Sequence, residues 1–241
     1  MSEKEMTKML NTHPRRAVLR GVLLGGAGAA LAACTAGQTA ETAPATSPAT
    51  TSTGSASAAA PASSSSSSRV LLAYFSRAGE NYFNGGRRRL TVGNTEVVAG
   101  YLRQAIGCDV HRIEAADPYP EDYEPTVRRN VEEQDADARP GIANPLRSID
   151  GYDTVLLGSP IWNVRAPMIM TTFVEGFDFS GKTVHPLVTY AVSGLGTTER
   201  DYAASCRGAK LAEGLAVRGE EVAGAQPAVE AWLRRIGLLT R

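Results

Sequence analysis

Three short stretches of this chain carry groups suited to holding a phosphorylated, flat ligand. The first is Ser76-Arg77-Ala78-Gly79-Glu80-Asn81, followed after an interval by Gly93-Asn94-Thr95. Hydroxyls and backbone N–H groups at a helix start form a site for a phosphate dianion, and the helix dipole adds to the attraction. The same residues also serve as a plain helix cap. The second stretch, Gly158-Ser159-Pro160-Ile161-Trp162-Asn163, offers an indole that can stack on a planar ring while backbone groups reach its polar rim. A Trp at such a place equally packs into a core. The third, Thr189-Tyr190-Ala191-Val192-Ser193-Gly194-Leu195-Gly196, is a small-residue loop that lets backbone approach a flat ligand closely, or a simple turn.

Other chemistries leave no trace. No Gly-Lys-Ser/Thr follows the first stretch, and the glycine fingerprint of a dinucleotide site is absent. No Cys–His pair, metal-ligand spacing or Ser–His–Asp order stands out. His111 and His185 fall singly in strands and read as core or edge histidines. Cys108 and Cys206 read as small buried apolar residues, and their spacing argues for no disulfide.

The elements that must position these stretches alternate strand and helix. Residues 70–75 form an apolar run without a polar break, the pattern of a strand buried on both faces. A helix is predicted over 94–106, closed by Gly107, and a strand over 109–114. A charged helix follows over 121–137, then a strand over 154–157, a helix over 168–174 and a strand over 183–192 despite Pro186. A weaker strand over 211–217 and a closing helix over 227–239, with Trp232 and Ile236 inward, complete the pattern. Five strands with intervening helices predict an α/β doubly wound parallel sheet with helices on both faces. Ligands bind such sheets beyond the carboxyl ends of the strands, where strand order reverses. The three stretches follow the first, third and fourth strands.

The region before residue 69 is different in kind. Arg15-Arg16 precede Gly21 to Ala33, an uncharged run of 13 residues that ends in Cys34. That run is too short to span a hydrocarbon core of ~30 Å and reads as the apolar part of a signal segment, 1–34. The arginine pair resembles the twin-arginine export motif, against the alternative of an ordinary Sec signal. Leu31-Ala32-Ala33-Cys34 resembles a lipobox, which implies lipidation of Cys34 and anchoring to the outer face of the bacterial cytoplasmic membrane. Residues 35–68 are almost entirely Ala, Ser, Thr, Pro and Gly, with a single charge, Glu41, and read as a disordered linker. Residues 69–241 then form the domain, with 20 basic and 22 acidic residues. That balance offers no general attraction to nucleic acid. Arg87-Arg88-Arg89 reads as a solvated loop tip.

Tyr74-Phe75-Ser76, Gly93-Asn94-Thr95, Gly158-Ser159-Pro160-Ile161-Trp162 and Ser193-Gly194 together resemble the flavodoxin family, over residues 70 to about 239. The resemblance implies FMN as cofactor. Ser76, Asn94 and Thr95 would hold its phosphate. Pro160, Ile161, Trp162 and Asn163 would line one edge and face of the isoalloxazine, and Tyr190, Ala191, Val192, Ser193 and Gly194 the opposite edge. One departure stands out: Glu80 to Val92 interrupt a phosphate loop that is continuous in flavodoxins. The insertion either covers the site, with Tyr82 or Phe83 as a lid, or bulges outward. The implied function is electron transfer with a membrane-associated redox partner. The alternatives are an FMN-dependent NAD(P)H or quinone reductase and a flavin-free binding module on the same fold.

Overall fold

The computed structural model describes residues 69–240. The expected signal segment 1–34 with Cys34, and the linker 35–68, lie outside the described residues. Strand β1 (Val70–Phe75) has a buried side chain at every position after the first, as its unbroken apolar run requires. On one side it pairs in parallel with β4 (Asp109–Ile113), on the other with β5 (Thr154–Pro160). Strand β6 (Thr183–Tyr190) continues the sheet beside β5. The order β4-β1-β5-β6, all parallel, is the doubly wound arrangement expected from the sequence. Strand order reverses between β1 and β5, so a ligand crevice opens at their carboxyl ends.

The fifth position is filled by two short strands, β7 (Lys210–Leu211) and β8 (Leu215–Arg218), where the sequence suggested one. Both pair with β6, but residues 212–214 stand opposite only 185–186, so one extra residue bulges from the edge. The break faces Pro186, which has no N–H to contribute to a ladder.

Helices α1 (Asn94–Ile106), α2 (Tyr123–Asp135), α3 (Met168–Glu175), α4 (Thr198–Ser205) and α5 (Gln226–Arg235) cover the sheet. Val98 and Leu102 of α1 pack with Val229, Trp232 and Leu233 of α5 on one face. Ile169 and Phe173 of α3 pack with Tyr202 of α4 on the other. A 3₁₀ turn, Gly219–Gly224, joins β8 to α5.

The insertion is an antiparallel hairpin, β2 (Gly79–Phe83) and β3 (Gly86–Leu90). Asn84 and Gly85 at its tip have φ of 47° and 82°. Two consecutive left-handed residues make the turn whose twist suits a two-residue hairpin, and Asn-Gly is the pair that adopts it most readily. Arg87-Arg88-Arg89 therefore lie in a strand, and the reading of a loop tip is corrected.

Candidate functional site

The carboxyl ends of β1, β5 and β6 lie side by side, with Tyr74 level with Gly158 and Gly158 level with Leu187. The three stretches singled out in the sequence consequently meet at one sheet edge.

On the side of β1, Ser76 is buried, and its Oγ accepts a hydrogen bond from the Glu96 N–H at 3.1 Å. It thereby caps α1 from twenty residues upstream, while its own hydroxyl proton stays available. Gly93 enters the helix in an extended conformation, and a Cβ there would lie 2.3 Å from Ser76 Oγ and 2.6 Å from the Arg77 carbonyl oxygen. Only glycine brings the two halves of the interrupted loop this close. The N–H groups of Asn94 and Thr95, in the first turn of α1, have no intrahelical acceptor. The Asn94 amide is half-buried and has no hydrogen-bond partner among the described residues. Ser76 Oγ–H, Asn94 Nδ2 and two backbone N–H groups are thus donors left free at the start of α1, a cradle of the chemistry that an anion requires. The Thr95 hydroxyl is placed lower: the residue is 1% exposed, and its Oγ1 lies 2.8 Å from Thr189 Oγ1 of β6.

Arg77 has another task. Its guanidinium donates to the carbonyls of Pro120 and Glu121 at 2.9 Å and to that of Glu80, pinning the loop to the start of α2. Burial pushes its pKa down, against the pull of Glu80. A cleft of about 370 Å³ beside β1 and β4 adjoins this brace, lined by Phe75, Arg77, Arg112, Glu114 and Tyr119 among others.

The side of β5 is built from rings and backbone. Ile161 N–H donates to Thr189 O at 2.8 Å, which carries the sheet pairing past Pro160. Trp162 and Arg165 exchange backbone hydrogen bonds across Asn163 and Val164, whose φ values are 49° and 65°. A left-handed β-branched Val164 is strained, and strain of this kind collects at functional loops. Gln134 of α2 donates to Trp162 O at 3.1 Å and accepts from the Asn163 amide at 3.0 Å. The half-buried Trp162 ring meets Tyr119 and Phe75 edge-on, with centroids 5.1 and 5.7 Å away. Tyr119 is itself fixed by donating to Glu133 at 2.8 Å. Burial and that carboxylate push its pKa well above the ordinary phenol value.

After β6, Tyr190 and Ala191 are half-buried and Val192 is 68% exposed. Gly194 and Gly196 both have φ of 56°. A Cβ on Gly196 would sit 2.1 Å from Val164 O, the same oxygen that accepts from the Thr197 N–H at 2.8 Å. The loops after β5 and β6 are thus locked together, and Thr95–Thr189 links them to the cradle.

Several contributors were not singled out in the sequence: the Arg77 brace, Gln134, the pairing of the insertion into a hairpin, and Gly219, where a Cβ would lie 2.5 Å from Asn94 Nδ2. Only the hairpin had a sequence mark, Asn84-Gly85. His111 and His185 lie away from the site. His185 Nδ1 bonds Glu213 O at 2.8 Å, and His111 stacks on Phe173. Cys206 is buried, with its thiol pushed up to about 12, and Cys108 is half-buried; both are free.

Among solved structures, a candidate flavoprotein of Bacteroides eggerthii is 32% identical, with 70% of this chain and 98% of that one covered and a TM-score of 0.56. One of Bacteroides uniformis is 28% identical, with 69% and 98% covered and a TM-score of 0.55. No curated protein matches. A flavodoxin family model matches residues 69–236, the whole of the sheet and its helices. With the sheet order, the cradle at the start of α1 and the paired loops after β5 and β6, this establishes that the chain belongs to the flavodoxin family.

Proposed function

We propose that the protein binds FMN at this sheet edge and carries electrons to or from a membrane-associated partner, held to the outer face of the cytoplasmic membrane by lipid on Cys34. The observation that carries the reading is the anion cradle at the start of α1, joined directly to the two ring loops by the Thr95–Thr189 hydrogen bond. Ser76, Asn94 and the N–H groups of Asn94 and Thr95 would hold the phosphate. Pro160, Ile161 and Trp162 would line one side of the isoalloxazine, and Tyr190 to Gly194 the other. Bound FMN supplies one- and two-electron redox chemistry. The chain's own contribution is to orient the ring, keep water from one face with Trp162, and leave Val192 exposed at the opposite rim.

The anchor is consistent with this role, since a tether on residues 35–68 keeps the domain near partners in the membrane. An export route that carries folded proteins also suits a cofactor loaded before export, which the Arg15-Arg16 pair favours.

An absorption spectrum of purified protein tests the cofactor. We expect a flavin spectrum, at one equivalent per chain, that is restored by FMN after acid release. A colourless protein that takes up no FMN at micromolar concentration contradicts the reading. Cys34→Ala, with its N-terminus mapped, should release the protein from membranes. Arg15→Lys with Arg16→Lys should block export, because lysine lacks the planar guanidinium a receptor can read; unchanged export would assign the Sec route.

A further inference from the structure

The hairpin between the two halves of the cradle is held at both ends. At its base, Glu80 N–H donates to Glu121 O at 2.7 Å, and the Tyr123 N–H donates to Glu80 Oε2 at 3.1 Å. At its tip, Asn84 N–H donates to Glu220 Oε1 at 3.1 Å. The two anchors flank the cradle. Gly93 packs against Ser76 and Arg77 at the base, and Gly219, next to Glu220, packs against Asn94. A ribbon fixed at Glu121 and at Glu220 must cross the mouth between them.

Its charges are divided by face. Arg87 and Arg89 alternate with Arg88 along β3, so they point to the opposite side. Arg87 pairs with Glu124 and lies over the Tyr123 ring at 3.6 Å, and Arg89 pairs with Glu121 and Asp122. Both are neutralised against the start of α2. Arg88 has no carboxylate partner among the described residues; its guanidinium rests over the Phe83 ring at 4.7 Å. The cradle itself contributes neutral donors only, and Arg77 is spent on backbone carbonyls. A dianion held there lacks a cation, and the strand crossing the mouth carries a spare one.

Resting on the FMN reading, we infer that the hairpin is a strap across the phosphate cradle and that Arg88 is the cationic partner of the ligand's phosphate. A guanidinium suits this task because its planar donors match phosphate oxygens, and Phe83 holds it extended without neutralising it.

The test compares FMN and riboflavin, which differ only in the phosphate, by fluorescence titration of the apoprotein at two salt concentrations. In Arg88→Gln, FMN affinity should fall about five- to tenfold, as expected for a partly screened charged hydrogen bond, while riboflavin affinity stays the same. The salt dependence of FMN binding should flatten in that variant. Arg87→Gln, which breaks only the contact with α2, should not separate the two ligands. The inference is overturned if Arg88→Gln leaves FMN affinity unchanged or lowers both affinities equally. If wild type itself binds no flavin, the functional reading fails first; if it prefers FMN and Arg88→Gln keeps the full preference, the strap alone is wrong.

Discussion

The two halves of the site are built by different means. The phosphate half is assembled from pieces separated in sequence and drawn together by side-chain polarity: Ser76 capping α1, Arg77 clasping carbonyls, and arginines of the hairpin paired along α2. The ring half is held by backbone hydrogen bonds, left-handed turns and edge-on aromatics. Polar assembly tolerates an insertion, because the hairpin can be tied down by charges at each end. Backbone interlocking of the Val164–Gly196 kind leaves no room for even one added atom. The insertion accordingly lies in the first half.

The largest effect that separates the halves should come from Gly93→Ala. A methyl 2.3 Å from Ser76 Oγ forces the loop open, so FMN affinity should drop by at least two decades, with stability lower by about 2 kcal/mol or more. Gly100→Ala in the same helix meets nothing within 4 Å and should instead stabilise by about 0.5–1 kcal/mol in denaturant titration. If both substitutions behave alike, the cradle is not tight.

Trp162→Ala comes next. It removes the half-buried ring that packs edge-on against Phe75 and Tyr119, costing about 2–3 kcal/mol of stability. FMN and riboflavin should weaken equally, since the ring half does not sense the phosphate. A selective loss of FMN would put Trp162 in the wrong half.

Thr95→Ala probes the joint. It strands the buried Thr189 hydroxyl at a cost of about 1–3 kcal/mol, and the double change to Val at both positions should cost less than the sum of the single ones. Additive losses would mean that the two hydroxyls do not act as a pair.

The smallest effect lies outside both halves. Burial lowers the folded-state pKa of His185 and of His111. The unfolded chain then binds protons first, so stability should be level above about pH 6.5 and fall as pH drops below it. His185→Gln should remove its share of that fall, leaving the part due to His111, without changing flavin affinity.

Much of this was legible in the sequence where one force dominates. Apolar runs such as 70–75 and 154–157 gave the buried parallel strands, and the loops after β1, β5 and β6 met as the topology requires. The hairpin was hidden because charges fill its strands; with Glu80 and three arginines flanking Asn84-Gly85, no apolar alternation marks them. Helix α4 is eight residues long with only Thr198 and Tyr202 buried, too little to leave a period. The depth of Thr95 and the part played by Gln134 depend on partners 94 and 28 residues away. No local pattern records such distances.

The central claim, that the start of α1 holds the phosphate of a flavin, is tested most directly by titrating the wild-type apoprotein with FMN and with riboflavin. Two or more hydrogen bonds to a charged group predict that FMN binds at least about a hundredfold tighter. Equal affinities would place the phosphate away from Ser76, Asn94 and the N–H groups of α1, and would contradict the account.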